Sequence, residues 1–394
     1  MKFEKSERGT IGVEWELQMV DMDTGDLRQS ADAVMDIIEK TGRHPQIHRE
    51  MLLNTIEITS KARHQVSDCL DDLRNVIRIL RPVTTPMRIE LASAGTHPFA
   101  RPAYQRVTDS QRYAELVERT QYWGRQMQIY GVHVHVGVED PKKVLPILNA
   151  LLTRFAQLQA VSSSSPYWAG EDTGYASNRA MFFQQLPTAG IPRAFDHWDD
   201  LDRYVDDMVK TGVIEDFTEV RWDVRPSPAL GTIEVRVFDA ATNIAEVGLL
   251  AALTATMVEY FSRMYDRGEE LPRIPDWYVA ENKWRASRYG MDAKLIVDDK
   301  GNQEDVITTF RKMLPELLPI ADDLGCRDEL ERIHEVTRRG AGYQRLQIAA
   351  ARHTMGPRAM VDFMIEEFKA DRPLDPLTFR AKKPNQLNEE LRRR

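Results

Sequence analysis

Cysteine is scarce in this chain, and long apolar runs are missing. Cys69 and Cys326 are its two cysteines among 394 residues, and neither lies in a C-x-x-C pair. A disulfide framework is therefore excluded, and a reducing compartment is favoured. The N-terminus lacks the apolar core of a signal peptide, and the most apolar stretch, residues 247–258, is too short to span a bilayer and indicates a buried helix. We expect a cytoplasmic protein without a membrane partner.

An excess of basic residues is missing as well. The chain has 53 lysines and arginines against 61 acidic residues, which gives a net charge of −8 at pH 7. This balance argues against a nucleic-acid partner. Glycine (21) and proline (20) are too few for a collagen-like or low-complexity chain, so a globular protein remains.

The chain does contain short strands separated by long helices. Residues 10–21 and 131–138 alternate, with apolar side chains on one face and polar ones on the other. Further strands are predicted at 47–59, 88–94, 221–225 and 231–238, and helices at 30–41, 67–80, 109–130, 140–162, 196–210 and over most of the chain after 243. One-sided alternation favours an antiparallel sheet. We therefore predict an α+β fold with helices on the apolar face, a charged second face and a helical C-terminal third.

Residue types that bind metals recur on the charged face. They come in pairs that are two apart on a strand or share one extended stretch: Glu14 and Glu16, Glu50 and Glu57, His133 and His135, and Glu234 and Arg236. Residues two apart on a strand point to the same side, about 7 Å apart. Carboxylates with one or two imidazoles suit Mg²⁺ or Mn²⁺, and the shortage of cysteine argues against structural zinc.

Each pair alone also fits a plainer interpretation. A glutamate pair is commonly a solvated strand face, two histidines can form a packed polar stripe, and Glu234 with Arg236 can be an ion pair worth little. Together the pairs favour a metal site, because clustered carboxylates repel each other unless cations lie between them. Spacing alone leaves open whether the segments meet in space.

At these residues the sequence resembles the type 2 glutamate–cysteine ligases, also called carboxylate–amine ligases. The resemblance runs through ordered motifs along most of the chain: Gly12-Val-Glu14-Trp-Glu16-Leu, residues 50–59, Ala94-Gly-Thr-His97-Pro-Phe, Gly131-Val-His133-Val-His135-Val, Ser163-Ser-Ser-Pro166, Gln185-Leu-Pro-Thr-Ala-Gly190, Trp222-Asp-Val-Arg225-Pro-Ser-Pro, Thr232-Ile-Glu234-Val-Arg236-Val and Asn282-Lys-Trp-Arg285-Ala-Ser-Arg288-Tyr-Gly.

The resemblance implies a glutamine-synthetase-like fold, in which a curved, mostly antiparallel sheet forms a funnel-shaped site. It implies ATP and Mg²⁺ (or Mn²⁺) as cofactors. The absence of a G-x-x-x-x-G-K-[ST] loop agrees with this fold, which binds nucleotides without such a loop. The implied metal ligands are Glu14, Glu16, Glu50, Glu57, His133 and Glu234. Arg236 is implied near the transferred phosphoryl group and is grouped with Glu57 as catalytic. Implied contacts with the nucleotide, substrate or phosphate are His135, Arg225 and Arg285.

The implied reaction is ATP-dependent amide-bond formation, with L-glutamate and L-cysteine joined to γ-glutamylcysteine. Three alternatives stay open: the same chemistry with another amino acid or amine, a nucleotide- or metal-binding regulator without turnover, and a metal-dependent hydrolase. We expect one catalytic domain over residues 1–375, a polar basic tail over 376–394, and a homo-oligomer, with a dimer implied by the resemblance.

Overall fold

The centre of the fold is a sheet in which every pairing is antiparallel. The computed structural model describes residues 1–42, 44–354 and 356–381. The strands of the sheet are β1 (Ile11–Asp21), β2 (Ile47–Arg49), β3 (Thr55–Thr59), β4 (Ile89–Ala92), β5 (Gly131–Gly137), β8 (Val224–Ser227) and β9 (Thr232–Asp239). Two small hairpins lie outside it and consist of β6 (Tyr167–Trp168), β7 (Glu171–Asp172), β10 (Lys294–Ile296) and β11 (Gln303–Asp305). The strand order is β2-β3-β1-β5-β9-β8, with β4 also paired to β1.

Strand β1 is central because both of its edges are paired. β3 runs along one edge, and β5 and β4 follow each other along the other edge. Val13, Trp15 and Leu17 are fully buried on one face, whereas Glu14 and Glu16 point to the opposite face. The predicted antiparallel sheet with one apolar and one charged face is thus confirmed.

Helices surround this sheet and make up most of the C-terminal third. Within the described residues they are α1 (Ala31–Thr41), α2 (Val66–Thr84), α3 (Gln111–Thr120), α4 (Tyr122–Arg125), α5 (Pro141–Leu151), α6 (Phe155–Ser162), α7 (Asn178–Phe183), α8 (Trp198–Lys210), α9 (Ile244–Asp266), α10 (Asp276–Tyr289), α11 (Val306–Asp323), α12 (Arg327–Glu331), α13 (Ile333–Arg339), α14 (Gly342–Ala351) and α15 (Pro357–Ala370).

The apolar face of the sheet is covered by helices that share its core. Leu73 of α2, Ile147 of α5 and Leu253 of α9 are buried in the same cluster as the apolar residues of β1 and β5. Helix α9 is long and apolar enough to cross a membrane by length and composition, but 94% of its most apolar window is buried inside the protein. Its apolar character is therefore explained by core packing, as the sequence predicted.

Several predicted elements are divided or extended in the structure. The helix predicted at 140–162 is two helices, α5 and α6, with a 66° bend between them. The helix predicted at 109–130 breaks at Gln121, whose φ of 49° is left-handed, and ends at Arg125.

Two elements continue through a proline beyond their predicted ends at residues 80 and 225. Helix α2 continues to Thr84 although Pro82 in its last turn has no N–H to donate, and Thr85 N still donates to Arg81 O at 3.0 Å. Pro226 lies beyond the strand predicted at 221–225 but belongs to β8, which tolerates it because β8 ends the strand order.

The predicted C-terminal tail is described in part. Phe379 packs edge-on against Phe363 of α15, with ring centroids 5.0 Å apart. Residues 382–394 lie outside the described residues, and the division of the chain at 375 stays a prediction.

Candidate active site

The strand registers bring the predicted polar residues together on the charged face. Cross-strand neighbours on this face are Glu16 and Glu57, Glu14 and His133, and His135 and Glu234. Directly opposite strand positions have side chains about 5 Å apart on the same face. The segments whose meeting the sequence left open therefore do meet, across four adjacent strands.

Glu14, His133 and Glu234 form a first group, called here the histidine triad. One ligand atom from each lies within 4.8 Å of the others. His133 Nδ1 is 2.9 Å from Glu14 Oε2, and His135 Nε2 is 3.2 Å from Glu14 Oε1. Burial alone would raise the pKa of Glu14. Hydrogen bonding to the two histidines outweighs burial and holds this pKa well below its usual range. Burial lowers the pKa of His133 to about 4, so this imidazole is neutral at pH 7 and has a lone pair to offer a metal.

Glu16, Glu50 and Glu57 form a second group, called here the carboxylate triad, again with ligand atoms within 4.8 Å of one another. Glu50 lies in the turn between β2 and β3, where its backbone oxygen accepts a 2.5 Å hydrogen bond from Thr108 Oγ1. Burial, with Glu50 nearby, raises the pKa of Glu16 to about 8. Burial and the neighbouring carboxylates raise the pKa of Glu57 well above its usual range.

The raised pKa values mean that burial and mutual repulsion of the three carboxylates outweigh the positive charge of the nearby arginines. Three clustered carboxylate oxygens are the donor set that Mg²⁺ or Mn²⁺ prefers, and a divalent cation would remove the repulsion between them. The histidine triad, with two carboxylates and a neutral imidazole, also fits these ions. The residues present thus fit two divalent cations, one in each triad.

Two arginines bind Glu234 of the histidine triad. Arg225 Nε donates to Glu234 Oε2 at 2.7 Å, and Arg236 Nη1 contacts the other carboxylate oxygen. Despite burial, these two guanidiniums hold the pKa of Glu234 below its usual range. Arg236 Nε is buried and has no hydrogen-bond partner among the described residues, so one N–H donor of this guanidinium is left for a ligand.

Asp223 ties Arg236 to the C-terminal third of the chain. The backbone oxygen of Asp223 accepts from Arg236 N at 2.7 Å, and its carboxylate pairs with Lys283 Nζ of α10 at 2.6 Å. Both side chains of the pair are buried. Asp223 N also donates to Gly190 O at 2.7 Å. Three motifs of the sequence, around residues 190, 223 and 283, therefore converge beneath Arg236.

Lys283→Met should destabilise the protein and slow its reaction. The change leaves the Asp223 carboxylate buried without its cation, which costs roughly 3–5 kcal/mol in the free energy of unfolding. Displacement of the strand that carries Arg236 should lower kcat by about tenfold or more. Denaturant unfolding and steady-state kinetics measure both effects. The double variant Lys283→Met/Asp223→Asn should recover most of the stability, and equal losses in the single and double variants would contradict the pairing.

Arg285 is the one predicted site residue that lies in other contacts. Its Nε donates to Glu281 at 2.8 Å, and its Nη1 donates to Lys294 O and Gln303 Oε1. These partners belong to α10 and to the β10–β11 hairpin, not to either triad. A role of Arg285 in substrate or phosphate binding stays a prediction without a contact that supports it.

Three residues near the carboxylate triad escaped the sequence analysis. Arg112 and Tyr113 belong to α3, whose start is fixed beside Glu50 by Thr108. Burial and the charge of Glu50 raise the pKa of Tyr113. Arg179, on α7, is fully enclosed and donates to Arg236 O at 3.2 Å. A single arginine in a six-residue helix leaves no periodic signal in a sequence.

Neither cysteine is prepared for nucleophilic catalysis. Burial raises the pKa of Cys69 to about 11 and that of Cys326 to about 12, so both stay protonated thiols at neutral pH. Both thiols belong to the buried core of the protein.

A comparison with protein families finds one match over most of the chain. Residues 10–361 match the model of Glutamate-cysteine ligase family 2 (GCS2). Two mycobacterial proteins are among the curated relatives that carry the name "Putative glutamate–cysteine ligase 2". The one from Mycobacterium sp. (strain MCS) is 48% identical over 367 residues, covering 93% of this chain and 97% of the relative. The one from Mycobacterium bovis (strain BCG / Pasteur 1173P2) is 48% identical over 365 residues, covering 93% and 96%.

Solved structures share the fold at low sequence identity. A glutamate–cysteine ligase of Francisella tularensis in complex with AMP has a TM-score of 0.67 at 12% identity, covering 100% of this chain and 94% of that one. A bifunctional glutathione synthetase of Pasteurella multocida has a TM-score of 0.64 at 16% identity, covering 92% and 52%. These likenesses confirm the predicted glutamine-synthetase-like α+β fold.

Proposed function

The chain belongs to glutamate–cysteine ligase family 2, and from this premise we propose that it joins L-glutamate to L-cysteine in an ATP-dependent reaction that yields γ-glutamylcysteine. The reaction has two parts. The γ-phosphoryl group of ATP moves to the γ-carboxylate of glutamate, which gives γ-glutamyl phosphate and ADP. The cysteine amine then attacks the acyl carbon, the C–N bond forms as the C–O bond to phosphate breaks, and the amine gives up a proton.

Two ligand triads side by side on one sheet face carry this proposal. A carboxylate is a poor acyl donor because its oxygen is a poor leaving group, and phosphorylation removes that obstacle. Phosphoryl transfer needs positioning and charge neutralisation more than covalent help from the protein. The triads supply sites for that neutralisation, and the absence of an activated cysteine agrees with a reaction that needs no protein nucleophile.

Glu14, His133 and Glu234 would hold one divalent cation, and Glu16, Glu50 and Glu57 would hold another. When bound, Mg²⁺ or Mn²⁺ would neutralise charge on the phosphates and on the reacting carboxylate. The two triads adjoin because Glu14 and Glu16 are two apart on β1. A nucleotide phosphate at one triad and a donor carboxylate at the other would therefore face each other across the same strand.

Arg236 is assigned to the moving phosphoryl group. Its Nε has no protein partner among the described residues, and its planar guanidinium can follow the phosphoryl oxygens with parallel hydrogen bonds. Arg225 and His135 both lie against Glu234 of the histidine triad, with Arg225 Nε 2.7 Å and His135 Nε2 3.9 Å from its carboxylate oxygens, which suits contacts with the nucleotide phosphates. Complex formation with AMP in the Francisella tularensis ligase supports nucleotide use by this fold.

ADP release with MgATP, L-glutamate and a panel of amino acids and small amines tests the proposal. We expect release that needs both glutamate and an amine and is fastest with L-cysteine. Fastest release with another acceptor would keep the chemistry and change the product. Measurable ATP binding without release for any pair would support the regulator alternative, and release of product from an amide without ATP would support a hydrolase.

The cellular setting and assembly are also proposals. We propose a cytoplasmic homodimer, in agreement with the two buried free cysteines and with the family resemblance. The mass of the protein in solution, measured at several concentrations, tests the dimer.

A further inference from the structure

A cavity of about 740 Å³ lies between the end of α2, strand β4 and helix α15. None of its lining residues belongs to the histidine triad or to the carboxylate triad. Strand β4 is paired with β1 along one edge, and no second strand of the described chain lies along its other edge. A cavity of this volume can enclose a small organic molecule, and the proposed function makes no use of it.

Apolar side chains form part of the lining. Leu91 and Phe368 belong to the main core of the protein, and Ile365 belongs to the smaller core cluster around α15. Phe379 completes this part of the lining, with its ring packed edge-on against Phe363. Because the core fixes these residues, they offer a preformed apolar surface against which burial of an apolar ligand body is favourable.

Basic side chains form another part of the lining, and they are Arg81, Arg88, Arg358, Lys369 and Arg380. Two of them are paired with the acidic residues of the lining. Lys369 Nζ lies 2.6 Å from Glu90 Oε1 and 3.9 Å from Glu366 Oε1, and Arg358 Nε lies 3.2 Å from Asp362 Oδ1. These pairs use every acidic residue of the lining, so the other three arginines have no acidic partner within it.

Arg88 is held at the cavity by a strained backbone. Its φ of 59° is left-handed, a conformation that glycine adopts freely and that is costly for a long side chain. Its backbone oxygen accepts from Met22 N at 3.1 Å, and its Nε donates to Asp23 Oδ2 at 3.1 Å. Backbone strain of this kind is concentrated at functional sites, which favours a role for this cavity beyond packing.

Arg81 and Arg380 are left with free guanidinium groups. Both residues are exposed, and neither side chain forms a hydrogen bond or an ion pair with any residue that the structure describes. They come from distant segments, the last turn of α2 and the chain that follows α15. A planar guanidinium binds a carboxylate, sulfonate or phosphate through parallel hydrogen bonds. Two such groups at one partly apolar cavity favour an anionic ligand over a neutral one.

The cavity lies on the opposite side of β1 from the triads at the point where the two come closest along that strand. Phe368 lines the cavity, and its ring centroid is 5.2 Å from that of Trp15. Trp15 points to the apolar face of β1, whereas its neighbours Glu14 and Glu16 point to the charged face. A ligand in the cavity should therefore not compete with a nucleotide at the triads.

We propose that this cavity is a second binding site, separate from the active site, for a small organic anion with an apolar body. Arg81 and Arg380 bind the anionic group, and the apolar residues around Phe379 contact the body. A neutral molecule of the same shape lacks the contacts with the two arginines and binds more weakly.

Fluorescence titration with 8-anilinonaphthalene-1-sulfonate tests this proposal. N-phenyl-1-naphthylamine has the same ring system without the sulfonate and is the matched neutral probe. We expect one site per chain, with a Kd for the sulfonate that is about fivefold or more below the Kd for the neutral probe. Saturating MgATP should change the Kd for the sulfonate by less than about threefold, because the two sites are separate.

Two variants distinguish the anionic contact from the apolar one. Arg81→Gln/Arg380→Gln should raise the Kd for the sulfonate about fivefold or more, while the Kd for the neutral probe changes less than about twofold. Thr85→Trp fills part of the cavity from an exposed lining residue and should raise the Kd for both probes about tenfold. Arg203→Gln/Arg327→Gln is the matched control, because it removes the same charge from partly or fully exposed arginines of α8 and α12 outside the lining.

Circular dichroism and Tm report whether each variant is folded, and the double arginine variant carries the test if Thr85→Trp is not. Sulfonate affinity that falls in this variant but not in the control would support the anion site. Equal Kd values for the two probes in the wild type, or an unchanged Kd in the double variant, would overturn it. Displacement of the sulfonate by MgATP would also overturn it, because the probe would then occupy the nucleotide site, and so would the absence of saturable binding.

Discussion

Glu57→Gln is expected to abolish turnover while making the metal-free protein more stable. The carboxamide cannot supply the anionic oxygen that the carboxylate triad offers to a cation, and the loss of several kcal/mol of charge stabilisation corresponds to roughly a 10³-fold lower kcat. The stability of the metal-free protein, in contrast to kcat, should increase. The pKa of Glu57 is raised in the folded protein by burial and by neighbouring carboxylates, so its ionised form is disfavoured there.

The pH dependence of this gain follows from the raised pKa. Below the ordinary glutamate pKa of 4.5, the carboxyl is neutral in both folded and unfolded states, and the wild type loses nothing by keeping it. As the pH rises above that value, the unfolded chain ionises more readily, and the metal-free wild type loses stability. The variant lacks this group, so its advantage should appear above about pH 4.5 and grow toward neutral pH.

Kinetics and thermal unfolding in the presence and absence of Mg²⁺ measure the two effects together. Mg²⁺ should raise the Tm of the wild type by more than that of the variant, because binding to the folded state alone stabilises it. Glu90→Gln is the control, since Glu90 pairs with Lys369 in a partly exposed contact away from both triads. Normal kcat in Glu57→Gln would remove Glu57 from the metal site.

The rows of ligands were predictable because a strand has a period of two. Glu14 with Glu16, and His133 with His135, must share a face whatever the rest of the chain does. The pairing partners were not predictable, since register depends on contacts between segments far apart in sequence. Glu14 and His133, for example, are separated by 119 positions and become neighbours through the β1–β5 register.

Helical motifs gave a less reliable interpretation than strand motifs. Residues two apart on a helix are rotated by about 200°, so they point to nearly opposite sides. In the motif on α10, Lys283 points inward to Asp223, whereas Arg285 points to the hairpin. The family resemblance implied a role for Arg285, whereas Lys283, which holds the strand of Arg236 through Asp223, had not been singled out.

Neither the position of Arg179 nor the breaks within helices could be predicted from a strand pattern or a helical motif. The placement of Arg179 depends on the room left by Gly131, 48 positions earlier in the numbering, and on Ser165 from another segment. The break at Gln121 depends on a left-handed backbone at a residue type that gives no warning of it. Such features arise from tertiary packing, which overrides local propensity.

Arg236→Lys is expected to lower kcat by about 100-fold or more with little change in stability. An arginine that stabilises a transferred phosphoryl group is worth roughly 10³–10⁵ in kcat, and lysine keeps the charge but not the planar fork. The charge should still pair with Glu234, so the pKa of that carboxylate stays low and the histidine triad remains able to bind a cation. KM for ATP and for glutamate should change far less than kcat, because the lost contact belongs to the transition state.

Steady-state kinetics with MgATP and glutamate varied in turn measure this split, and Mg²⁺-dependent Tm reports on the triads. Arg327→Lys is the matched control, since Arg327 lies on α12 in partly exposed pairs with Asp322 and Glu331. If KM rises while kcat stays normal, Arg236 contributes to ground-state binding and not to phosphoryl transfer. If Mg²⁺ no longer raises the Tm, the variant acts through Glu234 instead, because the arginine then serves to hold a metal ligand in place.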